Sequence, residues 1–128
     1  MERKNISSNT MWENSVGYSR AVKVGNQVFV SGTTSTNENG IVAGTRNPYA
    51  QTLQALKNIE AALKQAGGGL EHVVRTRIYV VNMAHSDTIG KAHNEIFSKI
   101  RPASTMVQIQ KLISPDMLVE IEADAVIP

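Results

Sequence analysis

A helical apolar period gives way to a strand period across Arg101-Pro102-Ala103-Ser104, and no other stretch limits the fold as much. Pro102 cannot continue a helix and biases Arg101 away from helical dihedrals. From Ser104 to Lys111 the residues alternate. Thr105, Val107 and Ile109 are expected on the face packed under helices, with Ser104, Met106, Gln108 and Gln110 on the other. The start of such a strand lies at a sheet end, where ligand sites often form. The chemistry of Ser104 therefore weighs heavily on what the protein does.

The segments around this break read as a run of short elements. Met1 to Val16 is rich in Ser and Asn, shows no periodicity, and reads as an N-terminal arm (residues 1–16) packed down by Trp12. Ser19–Val24 and Gln27–Gly32 are β-rich runs joined by the two-residue hairpin signal Gly25-Asn26. Thr33 to Asn47 is a loop with turn residues and a short strand near Ile41. Asn47-Pro48 opens a helix that runs to Gln65, with Leu53, Leu56, Ile59, Leu63 and Ala66 inward. Gly67-Gly68-Gly69 ends it. The three glycines follow a helix instead of preceding one and lack the Lys-Ser/Thr pair, so they are no phosphate loop. Val73–Val81 is a strand, with Val74, Thr76, Ile78 and Val80 on one face and Arg75, Arg77, Tyr79 and Val81 on the other. Ser86 caps a second helix over Asp87–Ile100. After the Ser104 strand, a turn at Ser114-Pro115-Asp116 leads into a final strand, Leu118–Val126. Its Val119, Ile121, Ala123 and Ala125 alternate with Glu120, Glu122 and Asp124.

The order β-β-α-β-α-β-β predicts an α+β domain spanning 1–128, a mixed sheet with both helices on one face. The other face carries Arg75, Arg77, Tyr79, Glu120 and Glu122, charges placed to pair across strands. Apolar residues make up 41% of the chain and charged residues 19%, a globular balance. No run is apolar enough to span a bilayer, and no secretory apolar segment opens the chain, so a cytoplasmic protein without membrane contact is expected. The absence of Cys removes disulfides, zinc-thiolate sites and thiol nucleophiles. A net charge of +2 gives no argument for nucleic acid.

Several of these residues, in this order, resemble the Rid (reactive intermediate deaminase, or YjgF) family. They are Ser31-Gly32, Gln51-Thr52, Asn58-Ile59, Pro102-Ala103 and Val119-Glu120-Ile121-Glu122-Ala123. The resemblance covers the chain from Val16 on. It implies a chorismate-mutase-like fold and a homotrimer in which three sheets close into a barrel, with small-molecule clefts between subunits. It also implies cofactor-free, metal-free hydrolysis of small imines and enamines. An Arg directly after the Pro-Ala pair would hold the substrate carboxylate, a task suited to a planar guanidinium. A carboxylate matching Glu120 would position water. Tyr18, Ser31, Gly32 and the start of the Ser104 strand (Ser104, Thr105, Met106) would complete the cleft.

The chain departs from that pattern at its centre. Ser104 stands where the Arg is implied, Met106 where a Cys is, and Gly90 where an Asn often is. Losing a charge-assisted pair costs on the order of 2–4 kcal/mol, so the usual 2-aminoacrylate deaminase activity is not carried over. Arg77 either supplies the missing cation or forms a structural ion pair. Glu120 either places water or pairs with Arg75 or Arg77. Tyr18 lines the cleft, packs at the subunit boundary, or does both. Ser104 has no evident triad, because His72, His85 and His93 are distant in sequence, and reads as a hydroxyl bonding ligand or backbone. The histidines read as surface residues with no metal-ligand spacing. Three functions follow: hydrolysis of a small reactive metabolite; a trimer that binds a small molecule without chemistry; and, less favoured, ribonuclease or translation inhibition.

Overall fold

The computed structural model covers residues 1–128. Three helices and six strands follow in the order β1 (Arg3–Ile6), α1 (Met11–Val16), β2 (Ala21–Val24), β3 (Gln27–Thr33), α2 (Pro48–Gln65), β4 (Val73–Val80), α3 (Ser86–Phe97), β5 (Ala103–Gln108) and β6 (Val119–Val126). The strands form one mixed sheet, ordered β1-β2-β3-β6-β4-β5. Only β4 and β5 pair in parallel, as the α3 crossover between them requires. No helix is long and apolar enough to cross a membrane.

Local chemistry accounts for the boundaries. Val24 pairs with Gln27, so Gly25-Asn26 is a two-residue turn, with Gly25 at φ +61°. The Asn47 side chain accepts from the Ala50 amide at 3.0 Å, and Pro48 takes the first helical position of α2. That helix ends by an αL glycine. Gly67 donates to Lys64 O and Gly68 to Leu63 O, with Gly67 at φ +92°. Lys4 and Lys23 also donate to the orphan carbonyls of Gln65 and Ala66. The core lies between the helices and one sheet face. Leu56, Ile59 and Leu63 of α2 and Ile89 and Phe97 of α3 meet Val28, Val30, Ile78, Val80, Val119 and Ile121 there.

Five expectations are corrected. The N-terminal arm is structured: β1 pairs along β2, burying Ile6, and α1 follows. The stretch near Ile41 is a single bridge, Thr36 to Val42, in a loop pinned by Asn58, whose side chain donates to Thr34 O and Thr36 O. Val74 is exposed and Val73 buried, because the β4–β6 register slips by one residue between Val73 and Arg75. Ser86 does not cap α3. It is the helix's first residue, following a 3-10 turn that Asn82 caps by accepting from the Ala84 amide. The faces of β5 are reversed. Register with β4 places Ser104 beside Thr76 and Met106 beside Ile78 on the helix side, while Thr105 and Val107 are exposed on the open face. Both parities of β5 mix apolar and polar residues, so the sequence held no signal to choose between them.

The first turn of α1 carries a carboxylate buried inside the former arm. Glu13 accepts from Ser8 Oγ at 2.6 Å, from the Ser8 amide at 3.2 Å and from Thr10 Oγ1 at 3.0 Å. Burial alone would raise its pKa, but these hydrogen bonds outweigh burial and hold it at about 2, against an ordinary 4.5. A depressed carboxylate stabilises the fold above its unfolded pKa and loses that contribution as pH falls through the folded value. We predict that Glu13 contributes up to about 3 kcal/mol near neutrality, lost between pH 4.5 and about 2. Urea unfolding across that interval should show a steeper loss for the native chain than for Glu13→Gln. Parallel curves would remove Glu13 from the account.

Candidate functional site

The site is built on an irregularity of β3. Val30 pairs with Ala123 and Thr33 with Ile121, so β3 carries one residue more than β6 over this span. The resulting bulge at Ser31-Gly32 turns the Gly32 backbone toward Glu120. A Cβ on Gly32 would lie 2.8 Å from Glu120 Oε2 and 2.9 Å from Cδ. A side chain at this position would therefore displace the Glu120 carboxylate from its seat. Ser31 secures the bulge by donating from Oγ to Ser19 O at 2.7 Å.

Glu120, Gly32, Tyr18 and Arg20 line a cavity of about 330 Å³, closed by Trp12 of α1 and by α2. Arg20 was not singled out from the sequence. Its Nη2 donates to Gly32 O at 2.6 Å, and its guanidinium stands 5.8 Å from the Tyr18 ring centroid. Arg20 therefore fixes the Gly32 backbone and places positive charge near Glu120. Burial raises the pKa of Glu120. Arg20 pulls it back and Glu122 pushes it further up. Neither Arg75 nor Arg77 pairs with it. Arg77 bonds Asp124 at 3.2 Å and Tyr79 donates to Glu122 at 2.6 Å, on the open face. Glu120 is left unpaired in a half-buried cavity, able to hold or release a proton.

The other expected residues lie elsewhere. Ser104 is separated from Glu120 by β4 and leaves its strand on the opposite face. Met106 packs against the core, and Thr105 stands opposite Arg77 on the open face. One chain thus brings together Tyr18, Gly32 and Glu120, with Ser31 as their support, but not Ser104, Thr105, Met106 or Arg77. Sequence distance also misled the reading of the histidines. His93 is half-buried, its ring nitrogen Nε2 lies 2.9 Å from Thr76 Oγ1, and Thr76 Oγ1 lies 2.8 Å from Ser104 Oγ. His93 also lines a second cleft, of about 390 Å³, with Gly90, Phe97, Arg101 and Pro102.

The contact between Gly32 and Glu120 makes a test. Gly32→Ala should leave stability nearly unchanged, since the end of a flexible side chain can give way. It should move the Glu120 titration down toward an ordinary carboxylate, read by carbon-detected NMR, as the carboxyl is pushed from its buried seat. An unchanged titration with a stability loss above about 2 kcal/mol would mean that the backbone yields instead.

The whole architecture is shared with known proteins. Residues 10–127 match the family described as Endoribonuclease L-PSP. The 3-aminoacrylate deaminase RutC of Acinetobacter baylyi is 36% identical over 108 residues, covering 84% of this chain and 85% of that protein. The crystal structure of Rv2704 from Mycobacterium tuberculosis, a member of the YjgF/YER057c/UK114 family, superposes with a TM-score of 0.91 at 47% identity, covering 98% of this chain and all of that one. The YjgF gene product of E. coli gives 0.82 at 29% identity, over 96% and 98% of the two chains. With the family match spanning nearly the full length and the α+β fold shared with the YjgF structures, this chain belongs to the Rid (YjgF/UK114) family.

Proposed function

We propose that the protein is a homotrimer whose inter-subunit clefts hydrolyse a small reactive metabolite of the imine or enamine type without a cofactor. The observation that carries this reading is the unpaired Glu120, seated against Gly32 in a cavity with its pKa raised by burial. In its neutral form such a carboxyl can protonate an imine nitrogen. In its ionised form it can take a proton from the attacking water. Water oxygen adds to the imine carbon, the C–N bond breaks, and ammonia leaves as a carbonyl forms. The name of the A. baylyi relative supports a deaminase-type reaction.

Assembly supports the same reading. Phe29, Val107 and Val126 are exposed on the open sheet face beside the Arg77–Asp124 and Tyr79–Glu122 pairs. A second copy covering that face would bury apolar surface now in water. The end of β5 and the Glu120 cavity are separate in one chain, and a cleft between neighbouring chains joins such halves. Ser104 favours a second reading, in which the trimer binds a small molecule without turnover, because a hydroxyl supplies no charge to anchor a substrate acid.

Two measurements decide. Light scattering behind size exclusion should give the mass of three chains; a monomer near 13.9 kDa would sink the interface site. Hydrolysis of 2-aminoacrylate, followed by semicarbazide trapping, should run roughly thirty- to a thousand-fold below a relative bearing Arg after Pro-Ala. Whatever imine hydrolysis is found should vanish in Glu120→Gln. Activity retained in that variant would exclude Glu120 as the proton carrier.

A further inference from the structure

Two opposite charges share the Glu120 cavity and do not meet. Arg20 and Glu120 both line it, yet Arg20 forms no ion pair. Of the five N–H groups of its guanidinium, one has an acceptor in the protein: Nη2 donates to Gly32 O at 2.6 Å. Nε is shielded from water and has no acceptor at all. Buried donors are nearly always paired, so this one marks a place where an acceptor from outside the chain belongs. No other cation lines the cavity, and its second acid, Glu38, is exposed in the loop after β3. Much of the remaining wall is apolar, from Trp12, Val16, Ala61, Ile113 and Met117. Val16 and Ile113 are 71% and 74% exposed, apolar surface with nothing over it at the rim of the cavity. At about 330 Å³ the space admits a body several carbons longer than 2-aminoacrylate.

Resting on the small-molecule site proposed above, we propose that Arg20 is the anion anchor of that site, so that its ligand is a carboxylate with an apolar body of several carbons laid against Trp12 and Ile113. Ser104 brings no charge to the ligand, and Arg20 brings one from within the cavity. Its planar fork matches a carboxylate, and turning the fork toward that acceptor satisfies Nε. Glu120 offers little opposition to a second carboxylate, since burial already disfavours its own charged form. A three-carbon acid would leave the apolar wall uncovered, in keeping with the weak turnover expected of 2-aminoacrylate.

Binding alone tests this, by calorimetry and by NMR of the intact protein. Hexanoate should bind roughly tenfold or more tighter than propanoate, because its extra methylenes leave water. It should bind about tenfold tighter than hexanamide, which has the same body without the charge. Only hexanoate should shift the Arg20 Nε–H resonance. Arg20→Gln should bring hexanoate down to the level of hexanamide and leave hexanamide nearly unchanged, while Arg20→Lys should keep part of the difference. Trp12→Ala should weaken both ligands alike. Hexanoate that binds no better than hexanamide, or leaves the Arg20 resonance unmoved, overturns the anchor. That result is read in the native protein, so it holds even where Arg20→Gln releases the Gly32 carbonyl and fails to fold. Hexanoate that binds no better than propanoate overturns the apolar body. None of these measurements reads turnover, so an absence of imine hydrolysis would count against the catalytic reading of Glu120 and leave the anchor standing.

Discussion

The fully buried amide of Gln51 ties α2 to two stretches of backbone, at Gly44 and at 116–118, that no secondary structure connects. Its Nε2 donates to Gly44 O at 3.1 Å and to Asp116 O at 2.8 Å, and its Oε1 accepts from the Leu118 amide at 2.9 Å. Each of those groups, left buried and unmatched, would cost about 1–3 kcal/mol. Position in the fold matters more than the sum. Leu118 immediately precedes β6, so the amide sets where that strand begins and which of its residues face the core. With Val119 and Ile121 inward, Glu120 must face away, toward the bulge at Gly32. Asn58, two turns further along α2, performs the same service for the loop at Thr34 and Thr36. One helix thus anchors the core by its apolar stripe and two irregular segments by its amides.

The candidate chemistry depends on departures from regular structure held in place by these anchors. A regular β3 would carry a residue whose side chain overlaps the Glu120 carboxyl. The bulge and the glycine together remove it, and Arg20 fixes the exposed carbonyl. The carboxyl is then buried enough for its charged form to be disfavoured, yet it has no partner that would lock it as an anion. The Ser104 end follows a different logic. There a neutral hydroxyl stands 2.8 Å from buried Thr76, itself 2.9 Å from His93, where the family resemblance implies a charged guanidinium.

How much was legible from the residues depended on whether the signal was local. The Gly25-Asn26 turn, the Asn47-Pro48 start and the Gly67 end of α2 are decided by dihedral preferences and caps within a few residues, and all three appear as read. The alternation of β6 was legible because one parity is wholly apolar and the other wholly acidic across Glu120, Glu122 and Asp124. Ser86 was misread because a helix cap depends on the turn before it, which Asn82 had already claimed. The Ser- and Asn-rich arm hid β1 because its pairing partner, β2, lies outside the stretch that would announce it.

By itself, then, the sequence determined the elements with strong local codes, the sheet strands with one apolar parity, the family, and Glu120 and Gly32 as residues to watch. Tertiary structure alone decided which way β5 faces, because its mixed parities carry no preference and only register with β4 breaks the tie. It alone brought Arg20 to Glu120 and His93 to Ser104, since such pairs are fixed by strand order and helix packing, which sequence separation does not record.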